Sequence, residues 1–575
     1  MKTKLISFLL LSIIHTVLPQ IIKNNFIKVI VPEKDSIISY YNGYRLSAWT
    51  LPNSKVYVND VEYKVYSTGA FAGLLELKPG FNNFIIKSIS KEGEIVEKDL
   101  FIEYKPKEVF QPPKELKIVS IEKPTSNIMA QVGDILEFEI KATSNCEITI
   151  NDKIFLKEVE HSGIYRSLYK VVEGDFVNGE LKVQIKNSNG EKLIQIAKQK
   201  IQILKSYLIG KVKIKNPWDR PSIAVSLGTD RLGGQKYQYI VPDVKLVIIG
   251  KNSNMYKVKL GDNIGWIDED YIEILENYKF PYSLTSSIKV AGGIKYDSIV
   301  VPLTEKLPYI SYQDPELNRI VIDVYNCSGN TNWITQYSNV KEIKNIFINQ
   351  VSSETFRINI DLNGQMNYGY AIDYKGNSLI IKIKHKPTDL KLKNKVIVLD
   401  AGHGGSDNGA IGASGNFEKE INLKMVYILK KLFEKKGAIV YLTRDKDTLL
   451  YNNYRLWKIW NYNPDIFISI HCNSIGNYTN PLEVKGISTY YKHIIFRPLS
   501  KYILNNCLKL KLDEFGNVGN FNFTNNQPTE FVNTLVELAF ISNPEDEIKL
   551  LDNNFLNKLA NQIVKGTEEY FKNLR

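Results

Sequence analysis

"KVIVLDAGHGGSDNGA", Lys395 to Ala410, decides how the last third of this 575-residue chain reads. The apolar run Val396 to Leu399 stops at Asp400 and gives way to four glycines and His403 within the next nine residues. A β-branched run ending in a Gly-rich turn is how a central strand of an α/β sheet ends, and ligands bind beyond the carboxyl ends of such strands. A tight turn with an incidental histidine is the plainer alternative, so the stretches on either side must decide.

Downstream, "GNFEKEINLKMVYILKKLFEKKGAIVYLTRDKD" predicts a helix, with Ile421, Met425, Ile428, Leu429, Leu432 and Phe433 at helical spacing and Gly437 as its C-terminal cap. Glu418 falls at or just before the start of that helix, facing the positive end of its dipole. "AIVYLTR" reads as the next strand. "DIFISIHCNS" reads as a fully buried strand that delivers His471 to its carboxyl end, and "NTLVELAFISN" brings Glu537 to the inside of the sheet.

His403, Glu418 and His471, at three strand-to-loop junctions of one sheet, form a three-ligand zinc site with the fourth position open to water. Glu537 is then the group to take that water's proton. Taken singly, each has a structural alternative: a turn histidine, a helix-start charge, a satisfied core histidine, a partner for a lysine. A charge inside "TLVELAFI" is nonetheless costly to bury without a partner or a task.

From about Lys395 onward the chain resembles the zinc-dependent N-acetylmuramoyl-L-alanine amidases, through "LDAGHGGSDNGAIG", "EKEINL", "YLTRDKD", "NPDIFISIHCNS" and "TLVELAFISNPEDE" in the family's order and spacing. The resemblance implies that His403, Glu418 and His471 bind Zn²⁺ and that Glu537 is catalytic. It also implies a central mixed sheet and hydrolysis of the amide between N-acetylmuramic acid and the L-alanine of the peptidoglycan stem. Thr443, Arg444, Asp447 and Arg455 match positions assigned to loop support. Cys472 stands where a small residue is usual and, by strand alternation, points away from the site.

The preceding residues read as all-β modules. Strand patterning and turn signals place a β-sandwich at 26–108 and a second at 115–204. Residues 206–277 close on "VKLVIIGKNSNMYKVKLGDNIGWIDEDYIEIL", which is similar to the last strands of bacterial SH3-like barrels. Residues 282–387 carry Arg-x-x-Ile-Asp twice, in "NRIVIDVYNCSG" and "TFRINIDLNGQ", and resemble the AMIN modules that localise cell-wall amidases. The expected architecture is therefore multidomain: sandwiches and a small barrel, an AMIN-like module, then an α/β domain over 392–575.

Residues 1–20, "MKTKLISFLLLSIIHTVLPQ", place two lysines ahead of an apolar run shorter than the ~20 residues a spanning helix needs, so they read as an export signal. The small-x-small cleavage pattern is absent, which leaves an uncleaved anchor as the alternative and as the one expected membrane contact. The location implied is the periplasm, envelope or exterior. A net charge of +12, from 74 Lys and Arg against 62 Asp and Glu, is spread along the chain and favours anionic polymer surfaces, without a block that reads as nucleic-acid binding. Cys146, Cys327, Cys472 and Cys507 lie far apart and suggest neither a disulfide framework nor a cysteine zinc site. Peptidoglycan is the expected partner, with envelope activators or division proteins beside it. The rival readings are a zinc peptidase acting within the stem peptide and an envelope scaffold with a silent amidase domain.

Overall fold

Parallel strands buried on both faces organise the C-terminal part of the chain. The computed structural model describes residues 25–574 apart from Thr229 and Gln365, so the expected export signal lies outside the described residues. Six strands, β1 (Val396–Ala401), β2 (Ile439–Leu442), β3 (Ile466–Asn473), β4 (Ile487–Tyr490), β5 (Glu514–Val518) and β6 (Val532–Phe540), form one mixed sheet in the order β2-β1-β3-β6-β4-β5. The first four of that order run parallel, while β4 lies antiparallel to β6 and parallel to β5.

The period-2 alternation of these strands sorts their side chains between two faces. Ile397, Leu399, Ile468, Ile470, Val536 and Leu538 bury one face against helices α1 (Glu418–Lys435), α3 (Arg497–Cys507) and α5 (Asn553–Lys572). Val398, Phe467 and Phe531 bury the other against Leu456 and Ile459 of α2 (Asn452–Tyr462). His471 and Glu537, each odd-numbered on its strand, share that second face. Cys472 points the opposite way, its Sγ 3.6 Å from Asn422 Oδ1 on α1.

The preceding described residues fold as β-strands apart from one 3₁₀ turn at Glu269–Tyr271, in four regions. Residues 28–104 form a three-stranded and a five-stranded sheet around Leu46, Phe71, Ile86 and Leu100. Residues 118–203 enclose Phe138, Ile148 and Val183, and residues 208–275 enclose Leu246, Val258 and Ile267. A short pairing of Ile128–Ala130 with Lys245–Asn252 joins the strands of these two regions into one continuous sheet.

The fourth region, residues 283–384, shows what its repeated Arg-x-x-Ile-Asp does. The two copies lie antiparallel, so Arg319 faces Asp361 and Arg357 faces Asp323. Arg319 Nε donates to Asp361 at 2.6 Å, and Arg357 binds Asp323 through two nitrogens at 2.7 and 2.9 Å. The repeat therefore fixes register between two strands, since a one-residue slip would separate both pairs and turn each apolar face outward.

These regions interlock with the C-terminal sheet. Tyr368 is buried within its helix-side core beside Phe571, and Tyr239 packs beside Trp460 on its α2 side. Among the described residues no helix is long and apolar enough to cross a membrane.

Candidate metal and acid–base site

At the carboxyl end of β1 the chain must turn within ångströms of β3, and Gly402 permits it. A Cβ there would stand 2.2 Å from His471 Cε1. His403 follows with φ +61°, a left-handed conformation that L residues rarely adopt. Gly409 (φ +67°) repeats the argument on the other side of the loop, because its Cβ would meet Glu418 Oε2 at 2.5 Å. The glycines therefore bring two histidines and a carboxylate into one space.

Glu418 opens α1, its backbone N–H donating to Ala410 O while Ala410 N–H donates back to Glu418 Oε2 at 2.8 Å. Its other oxygen accepts from Cys472 N–H at 3.0 Å, Asn422 Nδ2 at 3.1 Å and His471 Nδ1 at 2.9 Å. His403 Nε2 lies 3.2 Å from Glu418 Oε2, and His403 Nδ1 donates to Asp407 at 2.9 Å. His471 Nε2 is buried without a hydrogen-bond partner. One ligand atom from each of His403, Glu418 and His471 falls within 4.8 Å of the others, so the three could hold a metal ion.

Glu537 sits beside them because β6 pairs with β3 in a register that sets Glu537 opposite His471. Its Oε2 is sealed from solvent and accepts no hydrogen bond. Burial, with the Glu418 charge added, pushes the Glu537 carboxyl up to about 7, against the opposing pull of His471. Glu418 goes the other way: burial disfavours its charge, yet the two histidines hold it well below the usual carboxylate range. For His403, burial alone would lower the pKa, and the Glu418 and Asp407 carboxylates outweigh it and raise it to about 9.

A layer of buried arginines fixes the turn. Arg444 donates to the carbonyls of Ala401, Gly402 and Lys419 at 2.9, 3.0 and 2.8 Å. Arg455 donates to Asp400 Oδ1 at 2.6 Å and to the carbonyls of Ala401 and His403 at 2.8 and 2.5 Å. Asp447 bonds Gly405 N–H at 2.7 Å and Lys419 at 2.9 Å. Arg444 and Arg455 are buried and spend their donors mainly on main-chain carbonyls of the turn, which rigidifies the loop that presents His403.

The four residues singled out from the sequence thus converge on one sheet edge. Sequence reasoning missed Asp407, four residues after His403 and bonded to its ring, and Asn422, one helical turn after Glu418. It also missed Glu547, whose carboxylate takes Ser414 N–H at 3.0 Å and Ser414 Oγ at 2.8 Å and so holds the 410–416 loop. The i, i+4 spacings of the first two were the available signal. Nothing in the sequence marks the contacts that come from far upstream. Among them, Arg45 N–H donates to Asn477 O at 2.7 Å just past β3, and the carbonyl of Gly234 accepts from Asn522 Nδ2 at 3.0 Å between β5 and β6.

Residues 397–569 match a family model described as N-acetylmuramoyl-L-alanine amidase. The chain is 28% identical over 219 residues to the N-acetylmuramoyl-L-alanine amidase AmiC of Escherichia coli, a match taking in 31% of this chain and 52% of the relative. It is 33% identical over 196 residues to the probable cell wall amidase LytH of Staphylococcus saprophyticus, taking in 34% of this chain and 64% of that protein. The chain thus spans between half and two thirds of the length of these curated relatives. Among solved structures, the catalytic domain of CwlV, an N-acetylmuramoyl-L-alanine amidase from Bacillus (Paenibacillus) polymyxa, is 32% identical, covering 32% of this chain and 99% of that one at a TM-score of 0.29.

Proposed function

Through residues 397–569 the chain belongs to the N-acetylmuramoyl-L-alanine amidase family, and from that premise we propose that it hydrolyses the amide between N-acetylmuramic acid and the L-alanine of the peptidoglycan stem. The observation that carries the reading is the pairing of a three-ligand cluster with an unbonded glutamate in register beside it. His403, Glu418 and His471 would hold Zn²⁺: two imidazoles and one carboxylate suit that ion, and the unpartnered Nε2 of His471 is an imidazole nitrogen left free to bind it. Zinc, when bound, supplies Lewis acidity toward the amide carbonyl and lowers the pKa of water toward ~7.

The remaining steps belong to the chain's own groups. Glu537 Oε2 takes a proton from water as its oxygen attacks the lactyl carbonyl carbon. As the carbon–nitrogen bond breaks, Glu537 returns that proton to the departing alanine nitrogen. The products are the lactyl carboxylate of the sugar and a free α-amine on the peptide. Asp407 keeps the His403 ring oriented through Nδ1 and leaves Nε2 turned toward Glu418 in the cluster, and the arginine layer keeps the loop from relaxing away.

Two of the β regions ahead of this domain we assign to localisation. Residues 206–277 as an SH3-like module and 282–387 as an AMIN-like module would hold the enzyme at the wall, consistent with export of the chain by residues 1–20. Mass analysis of fragments released from purified peptidoglycan tests the whole reading. Free N-terminal L-alanine on the released peptides is the expected result. Cleavage between stem-peptide residues alone would make the protein a peptidase instead.

A further inference from the structure

The first β region is built into the edge of the candidate site, although some 350 residues of chain separate the two. Its strand Gly43–Trp49 docks on the loop after β3: Arg45 N–H donates to Asn477 O at 2.7 Å, and Tyr41 stacks on Tyr478 at 3.9 Å. Its other contacts clamp the loop between His403 and Glu418. Ala70 and Ala72 pack on Ala413, and a Cβ on Gly415 would meet Ile30 at 3.0 Å.

Between the two partners lies a cavity of about 480 Å³, lined by Pro32, Lys34 and Arg45 on one side and by Ala410, Ser474 and Ile475 on the other. Two of these residues tie it to the site. Ala410 N–H is bonded to Glu418, and Ser474 lies three residues beyond His471.

Arg45 is the unexplained group there. Only 4% of it is exposed, yet among the described residues it forms no ion pair. Nη1 donates to two neutral oxygens, Ser474 Oγ at 3.5 Å and Ile475 O at 3.1 Å, and Nε has no partner. Glu33, which lines the same cavity, is solvent-exposed and not paired with it. A buried guanidinium left without a counter-charge is costly, and a planar fork of donors matches a carboxylate.

We propose that Arg45 reads a carboxylate of the acidic stem peptide in this cavity while the muramoyl–alanine amide lies at the His403–Glu418–His471 cluster. The first β region is then a specificity wall of the cleft rather than a spacer. This inference rests on the amidase reading above. Arg45 touches no reacting atom in it and acts on affinity for the peptide.

The test uses the full-length protein and two soluble muropeptides that differ only in whether the carboxylate of the residue after L-alanine is free or amidated. Wild type is expected to show a KM roughly 10- to 100-fold lower for the free acid, the usual worth of a charge-assisted hydrogen bond, with kcat changed little. Arg45→Gln should erase that preference by raising KM for the free acid alone, and Arg45→Lys should restore part of it. Muramoyl–alanine cleavage of both substrates by wild type at equal KM overturns the Arg45 inference and leaves the amidase reading standing, a result that needs no variant to fold. Cleavage of neither substrate at that bond overturns both.

Discussion

Glu418 and Glu537 carry the same side chain, sit at the same sheet edge and live in opposite surroundings. Glu418 accepts from two backbone or side-chain amides on one oxygen and a backbone amide on the other, and faces both histidines, which stabilises its ionised form. Glu537 Oε2 accepts nothing, and burial drives that carboxyl toward the neutral state. Environment alone separates a carboxylate fit to bind a cation from one fit to shuttle a proton.

The sharpest way to break the comparison is to make each glutamate a glutamine. Glu418→Gln, like His471→Ala, is expected to lose metal and activity together, down to background, measured by atomic spectroscopy and turnover on the same samples. A Glu418→Gln protein with full metal content and full rate would remove Glu418 from the ligand set. Glu537→Gln should keep its metal while turnover falls by ~10²–10⁴-fold, the usual contribution of positioned acid–base catalysis. Loss of metal in that variant would make Glu537 a fourth ligand and end the division of roles.

A smaller effect probes the supporting partner. Asp407→Asn leaves His403 in place but weakens the acceptor on its Nδ1, so metal affinity should fall by ~10- to 100-fold in a competition titration with a chelator. An unchanged affinity would mean that the left-handed turn alone orients the ring. The last expected effect is on stability and belongs to Asp400. Burial disfavours its charge, but Arg455, Thr443 and Ser469 lower its pKa to about 2. Because the folded value lies below the unfolded one, the stabilisation is fully present above pH ~4 and is lost as pH falls toward ~2, worth roughly 2–3 kcal/mol. The difference between wild type and Asp400→Asn in denaturant midpoint should therefore shrink across that window and stay constant above it.

Much of the site is legible in the amino-acid sequence. His403, Glu418 and His471 each sit where a strand or helix pattern begins or ends, Glu537 stands out as a charge inside an apolar run, and the resemblance joins the four into one site. Asp400 and Ser469 are harder to read, because a buried polar residue inside an apolar run gives no sign of which partner satisfies it. The Arg-x-x-Ile-Asp repeat is visible as a repeat, while its meaning, each copy pairing with the other, emerges only with strand register.

Local periodicity, turn residues and close spacing are properties of the chain alone, and they suffice for four of the six strands of the C-terminal sheet, for the helix that Glu418 opens and for the chemical types gathered there. That Arg45, Tyr239 and Gly234 reach the same domain from far upstream follows only from the packed molecule. Such contacts depend on how whole β regions pack, through shape and unpaired polar groups that bear no periodic relation to each other in the chain. Their effect is to pack β regions from far upstream against the loops that flank the sheet edge.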